Sequence, residues 1–234
     1  LVRSRGLGDV YKRQIYMYTE AFGRASYLVS RSRGKKSTVS KALFIPLSVL
    51  EMEVEHLNKR DLHRIKETRI CFPLNDVCCD PVKNVLALFL SEVLFRVVKD
   101  TEPDPRLFDY LYESIHLLEY ADKGIANFHM VFLLGLLHHL GIFPNMESHR
   151  VGYYFDMLNG VFTDHIPMHR HYLNKVESAF FSRLLRISFE NMSLYGFSRQ
   201  ERVRIIHRIL EYYCLHLPDF PEIKSLSVMQ SLFD

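Results

Sequence analysis

Cysteine is scarce in this chain, and its four residues do not form a recognisable framework. None of them belongs to a C-x-x-C pair, and Cys78 and Cys79 are adjacent and therefore poorly placed to bond to each other. The other two are Cys71 and Cys214. Thiols without a framework in a chain of 234 residues indicate a reducing compartment, so we expect a cytoplasmic protein.

The sequence also lacks an apolar run long enough to cross a membrane. Its longest uncharged stretch, residues 125–146, contains His129, two further histidines, Gly141 and Pro144. The unbroken apolar part, residues 130–137, is far shorter than the roughly 20 residues that a spanning helix needs. The first apolar run is too short and too charged for a signal peptide. We therefore expect a buried helix here and no membrane partner.

Signatures of catalysis and of phosphate cradling are missing as well. No G-x-S-x-G, G-x-x-x-x-G-K-[ST] or G-x-G-x-x-G occurs. Acidic pairs such as Asp104 and Asp109 are explained by helix caps, and Glu51 and Glu53 by an exposed strand face. Because no residue set proposes a reaction or a cofactor, the sequence favours a binding protein over an enzyme.

Histidine gives a weak metal signal. His165, His169 and His171 fall within seven residues, but no cysteine lies near them and no H-E-x-x-H motif occurs. Structural zinc prefers a tetrahedral ligand set that is usually anchored by thiolates. We therefore predict a polar surface loop and no metal, with a metallohydrolase that depends on these histidines kept open as an alternative.

What the sequence does contain is a strongly uneven distribution of charge. Residues 1–69 hold 15 Lys and Arg against 7 Asp and Glu, whereas residues 70–234 hold 15 against 20. The basic residues concentrate in a segment that we call the basic loop, residues 31–36. Such a concentration is typical of a surface that binds nucleic-acid phosphates with salt-dependent affinity. The predicted DNA-binding residues are Arg24, Arg31, Arg33, Lys35, Lys36, Lys41, Arg60 and Arg64.

Three tyrosines lie on the strands near the basic loop. Tyr16, Tyr18 and Tyr27 are candidates for stacking against the bases of single-stranded DNA. The alternative is that they are core residues beside a solvated loop.

The pattern along the chain predicts an α+β protein. Short strands are expected at residues 15–19, 26–31, 50–56 and 62–70, and several short strands in a small region are typical of a barrel. The period then changes at Asp80, a plausible N-cap with Pro81 at the first helical position. Helices are expected after Asp80, at 105–120, at 125–140, after Asn174, after the capping box of Ser198 and Glu201, and at 222–233.

Three segments follow from this pattern. Residues 1–14 fit nothing that follows and resemble a translated sequencing adapter, so we interpret them as non-native. Residues 15–75 are predicted to form a small β-barrel domain that binds nucleic acid. Residues 76–234 are predicted to form a helical domain, interrupted near 152–165 by a hairpin with Asn159 and Gly160 as a two-residue turn.

The helical part carries a second basic cluster. Arg183, Arg186, Arg204 and Arg208 decorate two neighbouring helices. Basic residues beside an apolar groove could accept an acidic peptide with a hydrophobic end. The alternative is the solvated face of an amphipathic helix.

An ordered set of short motifs runs along the chain: YTEAFGR at 18–24, the basic loop, LFIPLSVLE at 43–51, RIKE at 64–67, DPVK at 80–83, ANFH at 126–129 and IKSL at 223–226. Taken in this order, they resemble the bacterial recombination mediators of the RecO family, in the form found in the Bacteroides group.

The resemblance implies an N-terminal OB-fold barrel followed by an all-helical C-terminal domain. It also implies binding of single- and double-stranded DNA, with Arg24 and the basic loop in contact with it, and annealing of complementary strands. The implied partners are the C-terminal tail of single-stranded DNA-binding protein, RecR and, indirectly, RecA, at the bacterial nucleoid. A helical adaptor without DNA activity is the alternative.

The sequence departs from the family pattern in two places. Many members carry a four-cysteine zinc module between helices, but residues 152–172 contain no cysteine, so no zinc is expected. The first strand of the barrel should precede Ile15, where the adapter-like segment stands. We therefore expect a barrel without its native first strand.

Overall fold

The structure is a computed structural model that describes residues 2–6, 12–30, 43–55 and 61–232. It contains two compact units. Unit 1 comprises residues 1–120 and 222–234, and unit 2 comprises residues 121–221. This division follows from packing, and the domain boundary expected near residue 75 stays a prediction.

Unit 1 contains a five-stranded sheet. Its strands are β1 (Val2–Gly6), β2 (Lys12–Thr19), β3 (Gly23–Ser30), β4 (Leu50–Glu55) and β5 (His63–Ile70). The order is β1-β2-β3-β5-β4, with β3 and β5 parallel and the other neighbours antiparallel. Placing β5 between β3 and β4 gives the Greek-key order of an OB-fold. Within the described ranges no pairing joins β1 to β4, so the sheet is open.

The strands are amphipathic, as their alternation predicts. Ile15, Met17 and Tyr27 lie in a buried cluster, against which the partly buried Leu50 and Met52 pack. The glutamates that alternate with them on β4 face solvent. A strand also occupies Val2–Gly6, where we expected the first strand to be missing; whether residues 1–14 are native stays a prediction.

The helices follow the predicted order. They are α1 (Asn75–Cys79), α2 (Pro81–Val97), α3 (Pro105–Tyr120), α4 (Ile125–His139), α5 (Lys175–Leu184), α6 (Arg199–His216) and α7 (Ser225–Leu232). Asp80 accepts hydrogen bonds from the backbone N–H groups of Val82 (2.7 Å) and Lys83 (3.1 Å), which confirms it as the N-cap of α2. The short helix α1 was not predicted. Among the described residues, no helix combines the length and apolar character that crossing a membrane requires.

Unit 2 surrounds α4, which is buried along most of its length, as predicted. It also contains a small sheet of β6 (Tyr154–Asp156), β7 (Val161–Thr163) and β8 (Tyr172–Leu173), in the order β7-β6-β8. The predicted hairpin is present, but the two-residue turn is wrong. Asp156 pairs with Val161, so four residues form the loop, and the Asp156 carboxylate accepts hydrogen bonds from the N–H groups of Leu158 and Asn159.

Residues 76–234 were predicted to be all helical, and the three-stranded sheet of β6, β7 and β8 is an exception to that prediction. The α+β class, with strands first and helices after them, is confirmed.

Candidate functional site

Two of the predicted DNA-binding residues lie in the described part of the chain. They are Arg24 on β3 and Arg64 on β5. The others, Arg31, Arg33, Lys35, Lys36, Lys41 and Arg60, lie outside the described residues.

Arg24 is held by contacts within unit 1. Its Nη1 donates hydrogen bonds to the carbonyl oxygens of Phe95 (3.1 Å) and Val98 (2.9 Å). Its guanidinium lies 4.6 Å from the centre of the Phe95 ring and 5.5 Å from that of Tyr16. Carbonyls at the end of a helix lack intrahelical partners and favour a cation. The structure therefore gives Arg24 a role that the sequence did not predict, as the cap of α2.

The turn before Arg24 is anchored in the same way. The Arg24 N–H donates to the carbonyl of Asp100 at 2.9 Å, and the hydroxyl of Tyr18 hydrogen-bonds to the backbone of Asp104. Gly23 has a φ of 57°, and a Cβ atom there would overlap the backbone oxygen of Glu102. The motif at 18–24 thus joins the β2–β3 turn to the segment that follows α2.

Two of the three candidate stacking tyrosines are core residues. Tyr27 is 1% exposed and Tyr18 is 6% exposed, so a base has no access to either ring. Burial raises the pKa of both hydroxyls. The stacking prediction is wrong for these two because Tyr27 points into the buried cluster of the sheet and Tyr18 is covered by the backbone around Asp104. Tyr16 packs edge-on against Phe95, with ring centres 5.1 Å apart.

The outer face of β4 and β5 is balanced in charge. Lys66 Nζ lies 3.4 Å from Glu53, and Arg69 Nε lies 3.3 Å from Glu51. Exposed pairs of this kind contribute little to stability, but they lower the positive potential of the face. Arg64 is exposed and has no ion pair within the part of the chain that the structure describes.

A second candidate site is a groove of about 530 Å³ in unit 2, between α5 and α6. Both helices begin at complete capping boxes, Asn174 with Glu177 and Ser198 with Glu201. These boxes fix where the two helices start and therefore which side chains face each other. The apolar lining consists of Leu173, Val176, Phe180, Phe181, Leu184 and Ile205.

Three of the four predicted partner arginines line this groove. Arg183 and Arg204 are exposed and form no ion pair with any described residue; the Arg183 guanidinium lies 6.0 Å from the Phe180 ring centre. Arg208 is bound to Glu211 at 2.8 Å and to Glu177 at 3.4 Å, and these contacts raise the pKa of its guanidinium. Arg186 is exposed and is not part of the lining.

The three clustered histidines contact three different carboxylates. His165 lies 2.9 Å from Asp164, His169 lies 3.2 Å from Asp156, and His171 lies 3.2 Å from Glu211. Across the described ranges, no three His, Cys, Asp or Glu side chains come together as a metal-binding group. These histidines thus act as partners of single carboxylates.

Unit 1 thus contains an OB-like sheet, and unit 2 contains an apolar groove rimmed by arginine, so the chain has the two parts that its motifs led us to expect. Residues 79–226 match the family described as Recombination protein O C terminal. The chain therefore belongs to the RecO family of DNA repair proteins, as its motifs predicted.

Individual relatives agree over nearly the whole chain. DNA repair protein RecO of Bacteroides fragilis is 44% identical over 221 residues, which cover 94% of this chain and 91% of that protein. DNA repair protein RecO of Azobacteroides pseudotrichonymphae is 41% identical over 220 residues, with the same coverage. DNA repair protein RecO of Flavobacterium psychrophilum is 33% identical over 218 residues, covering 92% of this chain and 90% of that protein.

Proposed function

We propose that this chain is a non-enzymatic recombination mediator that binds single- and double-stranded DNA and anneals complementary strands. With RecR, it helps to load RecA onto DNA coated with single-stranded DNA-binding protein, in the cytoplasm and at the nucleoid. The observation that carries the proposal is the OB-like strand order of unit 1 in a chain that belongs to the RecO family.

Charge supports a DNA contact in unit 1. The basic loop contributes four cations, and Arg64 adds an exposed cation on β5. OB-folds bind nucleic acids through strand faces and loops, with a strong electrostatic component. We assign the DNA contact to these residues and to Lys41 and Arg60, and we assign Arg24 mainly to the packing of unit 1.

The groove of unit 2 supports contact with a peptide. Its apolar lining suits hydrophobic side chains, and Arg183 and Arg204 on its rim suit acidic ones. The C-terminal tail of single-stranded DNA-binding protein is the partner that the family resemblance implies, and we place that tail in this groove. Arg186 lies outside the lining, so we leave it out of this contact.

The proposal is tested by measuring two ligands on one set of variants. Fluorescence anisotropy of a labelled single-stranded oligonucleotide across a salt series measures DNA binding. A labelled synthetic peptide of three aspartates followed by two phenylalanines, with a free carboxyl end, measures groove binding.

Changing Arg31, Arg33, Lys35 and Lys36 to alanine should weaken DNA binding and flatten its salt dependence, while leaving peptide binding intact. Changing Arg183 and Arg204 to alanine should weaken peptide binding and leave DNA binding intact. Each of the two variants therefore serves as the control for the other. DNA binding that is indifferent to salt and to the four substitutions would favour the helical adaptor.

A further inference from the structure

Arg208 is the one groove arginine that carboxylates already hold among the described residues. Its Nη1 lies 2.8 Å from Glu211 on its own helix, and its Nη2 lies 3.4 Å from Glu177 on α5. His171 Nδ1 lies 3.2 Å from the other oxygen of Glu211. We call these four residues the Arg208 clamp.

The two carboxylates of the clamp are fixed in place. Glu177 accepts a hydrogen bond from the N–H of Asn174 at 3.0 Å through its second oxygen, since it closes the capping box of α5. Burial opposes ionisation of Glu211, but hydrogen bonds from Arg208 and His171 outweigh it and lower the pKa of that carboxyl. Hydrogen bonds therefore hold both carboxylates in fixed orientations beside Arg208.

The clamp lies within reach of any groove ligand. The side chains of Glu177, Glu211 and Arg208 are 43%, 31% and 45% exposed, and all three line the groove. Arg204 lies four residues before Arg208, which is about 6 Å along α6 at 1.5 Å per residue. The Debye length is about 8 Å at physiological salt, so the charges of a ligand bound at Arg204 interact electrostatically with the clamp carboxylates.

We propose that Glu177 and Glu211 limit the affinity of the groove for acidic peptides. Their ion pairs with Arg208 keep that arginine from binding the ligand, and their negative charges repel the carboxylates of the ligand. Arg183 and Arg204 therefore make the ionic contacts with the ligand. This proposal rests on the proposed peptide-binding role of the groove. It predicts that removing the negative charge from the clamp tightens the binding of an acidic ligand.

The test uses the full chain and the labelled Asp-Asp-Asp-Phe-Phe peptide. Glu177→Gln and Glu211→Gln keep the shape of the side chain and one of its two accepting oxygens while removing the charge, and glutamine still serves in a capping box. We expect each variant to lower the Kd roughly two- to fivefold, as expected for partly exposed charges, and the double variant to lower it further. Both gains should shrink as salt rises.

Two controls isolate the effect. Glu147→Gln removes an exposed carboxylate of unit 2 outside the groove lining and should leave the Kd unchanged. A matched peptide with asparagine in place of aspartate should gain nothing from the clamp variants. Circular dichroism melts check that each variant is folded.

The outcomes separate this inference from the groove function. If Arg183→Ala and Arg204→Ala weaken binding but the clamp variants leave it unchanged or weaker, the clamp proposal is wrong and the groove function stands. If neither the arginine nor the clamp variants alter binding, or the wild-type chain does not bind the peptide, both are wrong.

Discussion

Charged side chains in the interior of unit 1 and on the groove of unit 2 act in different ways. In unit 1, Arg24 caps α2, Glu119 accepts hydrogen bonds from the N–H groups of Asp76 (2.8 Å) and Val77 (3.0 Å), and Glu92 accepts two from Ser225 at the start of α7. In unit 2, Arg183 and Arg204 face a groove and solvent. A charged residue in a sequence is thus a packing element in one setting and a candidate ligand contact in the other, and its burial decides which.

Among the substitutions considered for the buried charges of unit 1, Glu119→Ala should reduce the free energy of unfolding the most. Glu119 is 3% exposed, and its loss leaves the partly buried N–H of Asp76 and the buried N–H of Val77, both in α1, without acceptors. Lys83 Nζ keeps its contacts with the backbone carbonyl of residue 119 at 2.6 Å and with the Asp76 carboxylate at 3.3 Å. We expect a loss of about 3 kcal/mol in the free energy of unfolding, measured by urea denaturation. Glu113→Ala, on the exposed face of the same helix, is the control and should change it by less than about 0.5 kcal/mol.

Arg24→Gln should destabilise unit 1 by about 2 kcal/mol, because it removes a charge-assisted cap of α2 and the contact with Phe95. The same denaturation experiment measures it. DNA affinity should fall much less than for the basic-loop variant. A large loss of DNA affinity with unchanged stability would show instead that Arg24 acts at the DNA interface.

Unit 2 also contains a buried titratable side chain, His129, which can be compared with the buried charged residues of unit 1. Burial, reinforced by the charge of Arg202, lowers the pKa of His129 to about 3. In the unfolded chain His129 binds a proton near pH 6.5, whereas the folded chain excludes that proton. Its contribution to stability is therefore fully present above pH 6.5 and is lost as the pH falls below it.

Between pH 6.5 and pH 5.0 this effect should reduce the free energy of unfolding by about 1.6 kcal/mol, because the full slope of about 1.4 kcal/mol per pH unit is reached only below pH 6.5. Urea titrations at the two pH values measure the difference. His129→Gln cannot be protonated in this range and should lose most of that pH dependence, even if its stability at pH 7.5 is lower. An unchanged pH slope in the variant would contradict the assignment.

Arg204→Gln should have the smallest effect on stability, below about 0.5 kcal/mol, because the side chain is exposed and forms no ion pair with a described residue. It should nonetheless weaken binding of the acidic peptide. Thermal melts together with peptide anisotropy check both statements. A marked loss of stability would show that Arg204, like Arg24 in unit 1, contributes to packing, and would contradict the difference between the two arginines.

Helix starts were the most predictable features of the fold. Asp80 with Pro81, and Ser198 with Glu201, act within one turn of the chain, and the structure places α2 and α6 where they predict. Alternation on β4 was equally local. Two short elements, α1 and β8, escaped prediction: β8 is two residues long and exists through pairing of Leu173 with Phe155.

The sequence predicted which arginines lie near the groove of unit 2, but not which carboxylates bind them. Charge and spacing placed Arg183, Arg204 and Arg208 on neighbouring helices, and the structure brings them to one groove. Nothing in the local sequence indicated that Arg208 is bound by Glu177, which lies 31 residues away. The cap formed by Arg24 was equally hidden, because its acceptors lie 71 and 74 residues along the chain.

The sequence by itself determined the family, the order of the longer helices and of the strands from Ile15 to Ile70, and the positions of the caps, because these depend on residues close together in the chain or on motifs read in order. Tertiary structure decided which charges are buried and which remain exposed. It placed Tyr18 and Tyr27 in the core and bound Arg24 to α2, because burial and hydrogen bonding depend on distant segments that meet only when the chain folds.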